Sequence, residues 1–172
     1  MKFLKSIALT VLLLSVAAFA ATYTSKDGKF SVNFPAEPQI THQSSMSAPK
    51  TGEPVPVEMT FYTARAKNGD ALLVMTGDAP STAVLHLDWV AESVAGETGT
   101  LVFNKDTTFQ GNPAKNFIVD YPKTDTEAGY KMVILAIAQG ARLYEIGVVT
   151  DLNASDEKIQ AARSFINSFN IN

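Results

Sequence analysis

No cysteine occurs in the 172 residues. Disulfides, thiolate nucleophiles and thiol metal sites are therefore excluded. The lipid-carrying cysteine that follows the leader of a bacterial lipoprotein is absent as well. Histidine is almost as scarce, with only His42 and His86. A metal site using both would need distant residues to converge. His86 and Asp88 stand two apart in a predicted helix and point to different sides. His42 lies in a polar stretch beside Ser44, and both histidines read as surface or partly buried neutral imidazoles. Basic runs are missing too. All 17 acidic residues lie beyond position 20, with all the basic ones except Lys2 and Lys5, which leaves that part mildly acidic. This excludes a nucleic-acid partner and attraction to an anionic membrane surface. No Gly-x-Ser-x-Gly elbow is present. Gly96 to Gly99 has glycines but no lysine, and reads as a loop rather than a phosphate cradle.

What is present begins with a targeting segment. Lys2 and Lys5 form a basic start, Ile7 to Ala17 an apolar run too short to span a bilayer comfortably, and Ala18-Phe19-Ala20 a small-x-small cleavage site. The expected product is residues 21–172, a single domain in the periplasm or outside the cell, with no stable membrane insertion after cleavage.

The chain beyond it is organised around a hairpin near its end. Tyr130 to Ala138 is almost unbroken apolar sequence, and Arg142 to Thr150 is β-branched and aromatic. A Gly140-Ala141 loop suits a type II′ turn and sets the register. Gln139 then faces Arg142, Ile137 faces Tyr144, Leu135 faces Ile146 and Val133 faces Val148. On the other face Ala138 meets Leu143, Ala136 meets Glu145, Ile134 meets Gly147 and Met132 meets Val149. Both faces are mainly apolar, so these are central strands covered on both sides. Ser155 caps a following amphipathic helix that presents Ile159, Ala162, Phe165 or Ile166, and Phe169.

Upstream, Tyr23–Ser25 and Phe30–Phe34 flank a Lys26–Lys29 turn. Gln39–Ser47 is a polar edge strand, and 48–56 is a Pro-rich exposed loop. Val57–Ala66 and Ala71–Thr76 pair through Asn68-Gly69. A helix is expected from about Ser81 to Ala95, capped by Ser81 or Thr82, with Leu85, Trp89 and Val94 inward. Gly99–Phe109 and Ala114–Tyr121 are joined by a Gln110–Pro113 turn. Pro122–Gly129 is a polar, acidic loop. The spacing of Asp120, Asp125 and Glu127 is not that of an EF-hand, so it reads as solvated. Seven to nine mainly antiparallel strands with two helices make an α+β fold, a sheet with helices packed on it.

The order of particular residues adds a resemblance. Phe30 to Pro35 (aromatic-Ser-Val-x-Phe-Pro), Gly111 to Ala114 (Gly-Asn-Pro-Ala), Arg142 to Ile146, and Ser164 to Phe169 together resemble the PsbP-like superfamily over nearly the whole chain after residue 20. That superfamily includes an extrinsic protein of the photosystem II oxygen-evolving complex, a Ran-binding nuclear import factor and small exported bacterial proteins of unknown role. The resemblance implies an α/β/α sandwich around an antiparallel sheet, and a protein that binds or assists assembly rather than catalyses. No metal-binding or partner-binding motif of the plant protein has a counterpart here.

Two residues stand out as ligand-binding candidates. Glu145 falls on a mostly apolar face opposite Ala136, where a carboxylate needs a partner or a raised pKa. Trp89 reads first as a core anchor and second as a binding platform. The chain thus reads as an exported non-enzymatic monomer, without a cofactor, that binds an envelope protein through a sheet edge or the Pro-rich loop. The alternative is a small-ligand carrier with a pocket between helix and sheet near Glu145 and Trp89.

Overall fold

The computed structural model describes residues 21–25, 27, 29–47, 55–79, 85–125 and 128–172. The leader at 1–20, residues 48–54 of the Pro-rich loop and the expected cap at Ser81 or Thr82 lie outside these. Seven strands form the main sheet: β3 (Gln39–Ser47), β4 (Val55–Arg65), β5 (Ala71–Asp78), β6 (Thr100–Phe109), β7 (Asn112–Tyr121), β8 (Tyr130–Gln139) and β9 (Arg142–Asp151). Their spatial order is β3-β4-β5-β9-β8-β7-β6, and every neighbouring pair is antiparallel. A second, small sheet joins β1 (Ala21–Thr24), β2 (Phe30–Phe34) and β10 (Asn170–Ile171). The helices are α1 (Leu87–Ala95) and α2 (Asp156–Asn167).

The terminal hairpin holds the middle of the sheet, with β9 fourth of the seven strands. Its register is the one expected, from Gln139 opposite Arg142 to Val133 opposite Val148. Gly140 takes a φ of 59°, as the first central position of a II′ turn demands. The strands are buried on both faces because both carry apolar side chains. On one face Val133, Leu135, Ile137, Tyr144, Ile146 and Val148 meet β2 through Phe30, Val32 and Phe34, α2 through Ala162 and Phe165, and Phe169 just past the end of α2. On the other, Ile134 and Ala136 join Phe117 and Val119 under α1. Ser155 caps α2, its Oγ accepting from the Lys158 N–H at 3.4 Å. Each large side chain that α2 buries contributes about 1.5–3 kcal/mol.

Several sequence expectations are corrected. Helix α1 starts at Leu87, after an extended His86 that gives no side-chain cap. Its inward stripe is Leu87, Val90, Ala91, Val94 and Ala95, the i, i+3, i+4, i+7, i+8 pattern. Small Ala91 and Ala95 let the helix sit close on the sheet, so Trp89, one position out of phase, is only half-buried. The turn after β6 is two residues long: Gln110 and Gly111 both have positive φ, and the ladder resumes at Asn112 and Pro113. Pro56 belongs to β4, opposite Met46, rather than to the loop. Among the described residues ten strands form rather than nine at most, because the last residues add β10 to β2.

Candidate functional site

One row of side chains crosses the α1 face of the sheet. Asp106 of β6 is opposite Lys115 of β7, Lys115 is opposite Ala136 of β8, Ala136 is opposite Glu145 of β9, and Glu145 is opposite Met75 of β5. Strands lie about 4.8 Å apart, so the backbones of Lys115 and Glu145 are about 10 Å apart with only an alanine between them. Lys115 does not use that gap to reach Glu145. Its Nζ lies 2.5 Å from Asp106 and 2.8 Å from Asp88 on α1. Burial disfavours its charge, but the two aspartates outweigh burial and hold its pKa above the ordinary lysine value.

Glu145 is left without a hydrogen bond or ion pair among the described residues. Burial alone pushes its carboxyl up to about 7. The residue as a whole is half-buried. Trp89 rides on α1, which packs over β6, β7 and β8, whereas Glu145 is on β9, one strand further. Two grooves form elsewhere, and neither Glu145 nor Trp89 lines either of them.

The two aspartates that hold Lys115 are 73 % and 84 % exposed, so the lysine buries its stem and brings its ammonium to the rim. Tyr121 of β7 ties the other end of α1, donating its hydroxyl to the Val94 carbonyl. Replacing Asp88 and Asp106 together by asparagine is expected to cost about 1 kcal/mol, less than a deep ion pair because water reaches both carboxylates. Lys115→Met, which keeps the stem, should cost less. Urea unfolding of both variants checks this, and a cost of about 3–5 kcal/mol for the double asparagine variant would mean that the ammonium is deeply desolvated.

A second cluster, which no local pattern announces, lies at the start of β9. Arg142 donates from Nε and Nη2 to the two carboxylate oxygens of Asp78 on β5, at 2.6 and 2.5 Å. Its Nη1 lies 3.5 Å from Asp27, in the turn between β1 and β2, and its guanidinium stands 5.9 Å from the centre of the Tyr144 ring. Arg142 therefore clasps the main sheet to the small one. The β5–β9 pairing brings Asp78 and Arg142 together from 64 residues apart, a distance no local pattern reports. Ser155 and Lys158 stand at Ser-x-x-Lys spacing, but the serine caps α2 and the lysine ammonium binds Asp151 at 2.6 Å. That arrangement is structural.

His42 is exposed and its Nδ1 lies 3.1 Å from the Thr60 hydroxyl, while His86 is exposed at the start of α1. Asp120, at the edge of the acidic loop, pairs with Lys131 across the β7–β8 ladder. Glu127 lies outside the described residues. Among the described residues no three acidic or histidine side chains converge as metal ligands, and no helix is long and apolar enough to cross a membrane.

The free edge of β6 carries the exposed large apolar side chains among the described residues, Val102 at 52 % and Phe103 at 43 %. They sit at a register shift between Leu101 and Phe103, a bulge that leaves Val102 without a ladder partner.

Comparison with known proteins concerns the fold. The solution structure of cyanobacterial PsbP (CyanoP) from Synechocystis sp. PCC 6803 matches with a TM-score of 0.58 and 11 % identity, over 98 % of this chain and 99 % of that one. A protein of unknown function from Pseudomonas aeruginosa matches with a TM-score of 0.46 and 12 % identity, over 86 % and 94 %. No protein-family model and no curated protein sequence matches the chain.

Proposed function

We propose that this PsbP-like fold is an exported, non-enzymatic domain that binds a protein partner or assists assembly in the cell envelope, with the bulged half of β6 as its contact surface. The observation that carries the reading is the pair Val102 and Phe103, two neighbouring large apolar side chains exposed on a strand that has no neighbour on one side among the described residues. The bulge and Lys105 blunt the edge against indiscriminate strand pairing, so a partner is held by side chains more than by a long backbone ladder. In this reading residues 1–20 are removed after Ala20, residues 21–172 form one α/β/α domain, and the product is a periplasmic or secreted monomer. Lys2, Lys5 and the apolar run that follows support export.

Phe103→Glu tests it. The substitution sits on the surface and should change stability by no more than about 0.5 kcal/mol. In cross-linking within the native compartment, wild type should capture a defined partner that the variant loses. Identical captures from both proteins would remove β6 from the reading.

A second reading, a small-ligand carrier using Glu145 and Trp89, is favoured by one observation: the Glu145 carboxyl is unpaired and near neutrality in its titration.

A further inference from the structure

A groove runs between α2, the end of β2 and the β4–β5 hairpin, with a cavity volume of about 320 Å³. That is the lower end of the range for small-molecule sites. Its floor is apolar, made by Leu72, Val148, Ala162 and Phe165, all buried. One wall ends in Asp70, a carboxylate only 5 % exposed. Buried carboxylates are rare unless fully partnered, and only one of the two Asp70 oxygens accepts a hydrogen bond, the other having a long ion pair alone. Asn68 Nδ2 donates to its Oδ2 at 2.7 Å. Its Oδ1 has Lys158 Nζ at 3.8 Å, beyond hydrogen-bond reach, because that ammonium is bonded to Asp151 at 2.6 Å. Asp70, Asp151 and Lys158 together carry one net negative charge.

Thr150, two residues beyond Val148 on β9 and only 4 % exposed, has a hydroxyl without a partner among the described residues, but it lies beneath the groove rather than on its lining. The other hydroxyls at the groove are used internally. Ser164 donates to the Gln160 carbonyl, and Ser168 donates to the Phe165 carbonyl while accepting from the Asn33 N–H. Among the lining side chains the hydrogen-bonding capacity left over is thus that of Asp70 Oδ1, and the apolar surface lies along the rest.

We propose that this groove is a binding site for a small molecule with an apolar body and an ammonium head, the head donating to Asp70 Oδ1 and the body lying on Leu72, Val148 and Phe165. The site is separate from the β6 edge and from Glu145, and does not depend on either.

Hexylammonium, hexan-1-ol and hexanoate share one body and differ in the head, so they are the probes. Each is titrated into the isotope-labelled protein and followed by amide chemical shifts. Hexylammonium should give saturable shifts confined to 66–72, 148–150 and 161–168. Hexanol should bind about tenfold more weakly, since a charge-assisted hydrogen bond is replaced by a neutral one, and hexanoate more weakly still. Asp70→Asn should bring hexylammonium down to the level of hexanol. Ala161→Phe, on the exposed rim of α2, fills the groove without touching the core and should abolish binding of all three. Equal binding of hexanoate and hexylammonium, shifts that survive Ala161→Phe, or no saturable shift would each overturn the proposal. If Asp70→Asn proves unstable, the comparison of probes on wild type and the Ala161→Phe variant still decide it.

Discussion

Phe169→Ala should lower the stability of the protein by about 3–5 kcal/mol, the range for emptying a buried aromatic site. The ring is 1 % exposed. It stands 5.5 Å from Phe30 of β2, 5.6 Å from Tyr144 of β9 and 6.0 Å from Phe109 of β6, centroid to centroid. It therefore touches both sheets at the place where the chain leaves α2. Truncation leaves a hole that aromatic rings on three strands cannot fill without leaving their own contacts. Phe169→Leu, which keeps most of the volume, should cost less than about 1.5 kcal/mol. Urea unfolding of the two variants measures both. An alanine cost near that of leucine would mean that the two sheets are joined elsewhere.

Glu145→Gln should make the protein more stable at pH 8 than wild type, by about 1–2 kcal/mol, and make no difference near pH 4. A carboxyl whose pKa is raised on folding favours the native state when protonated. Its contribution is fully present below the unfolded value of about 4.5 and is lost as pH rises through about 7. Taken at face value that interval is worth about 3 kcal/mol. The residue keeps part of its surface in water, which reduces the figure. Wild-type stability should therefore decline between pH 4.5 and 7 by an amount that glutamine removes. A flat difference between the two proteins across that interval would show that the carboxylate is solvated in the native state.

How far the sequence spoke depended on how local the cause was. The β8–β9 register was readable because a Gly-Ala turn fixes every pair beyond it. The Glu145 position on an apolar face followed from that register alone. The α2 cap was equally local, since Ser155, Asp156 and Glu157 precede the apolar stripe they serve. The end of helix α1 at Ala95 and the inward Val94 were legible, but its start and packing face were not, because Leu85 and Trp89 carry the strongest apolar signal whereas the packing face is built on Ala91 and Ala95. The Asp88–Lys115–Asp106 cluster, the Arg142–Asp78 clasp and the groove at Asp70 come from elements that meet only in three dimensions. No spacing in the chain announces them. Strand β10 was missed because two residues carry no periodicity.

The strand order has a consequence for how the molecule forms. The main sheet is two locally connected meanders, β3-β4-β5 and β6-β7-β8-β9, and they meet only along β5 and β9. Pairing within each meander closes short loops, whereas the seam must wait for segments distant in the chain to find each other. Until it closes, β5 and β9 both present a bare backbone edge flanked by Val74, Met75, Ile146 and Val148, side chains that the finished protein buries. The rims that remain open afterwards, β3 and β6, are polar or bulged. The hazard of intermolecular pairing during folding thus falls on the strands that end up deepest, and the Arg142–Asp78 pair at the last rung of the seam is a charged latch on that edge.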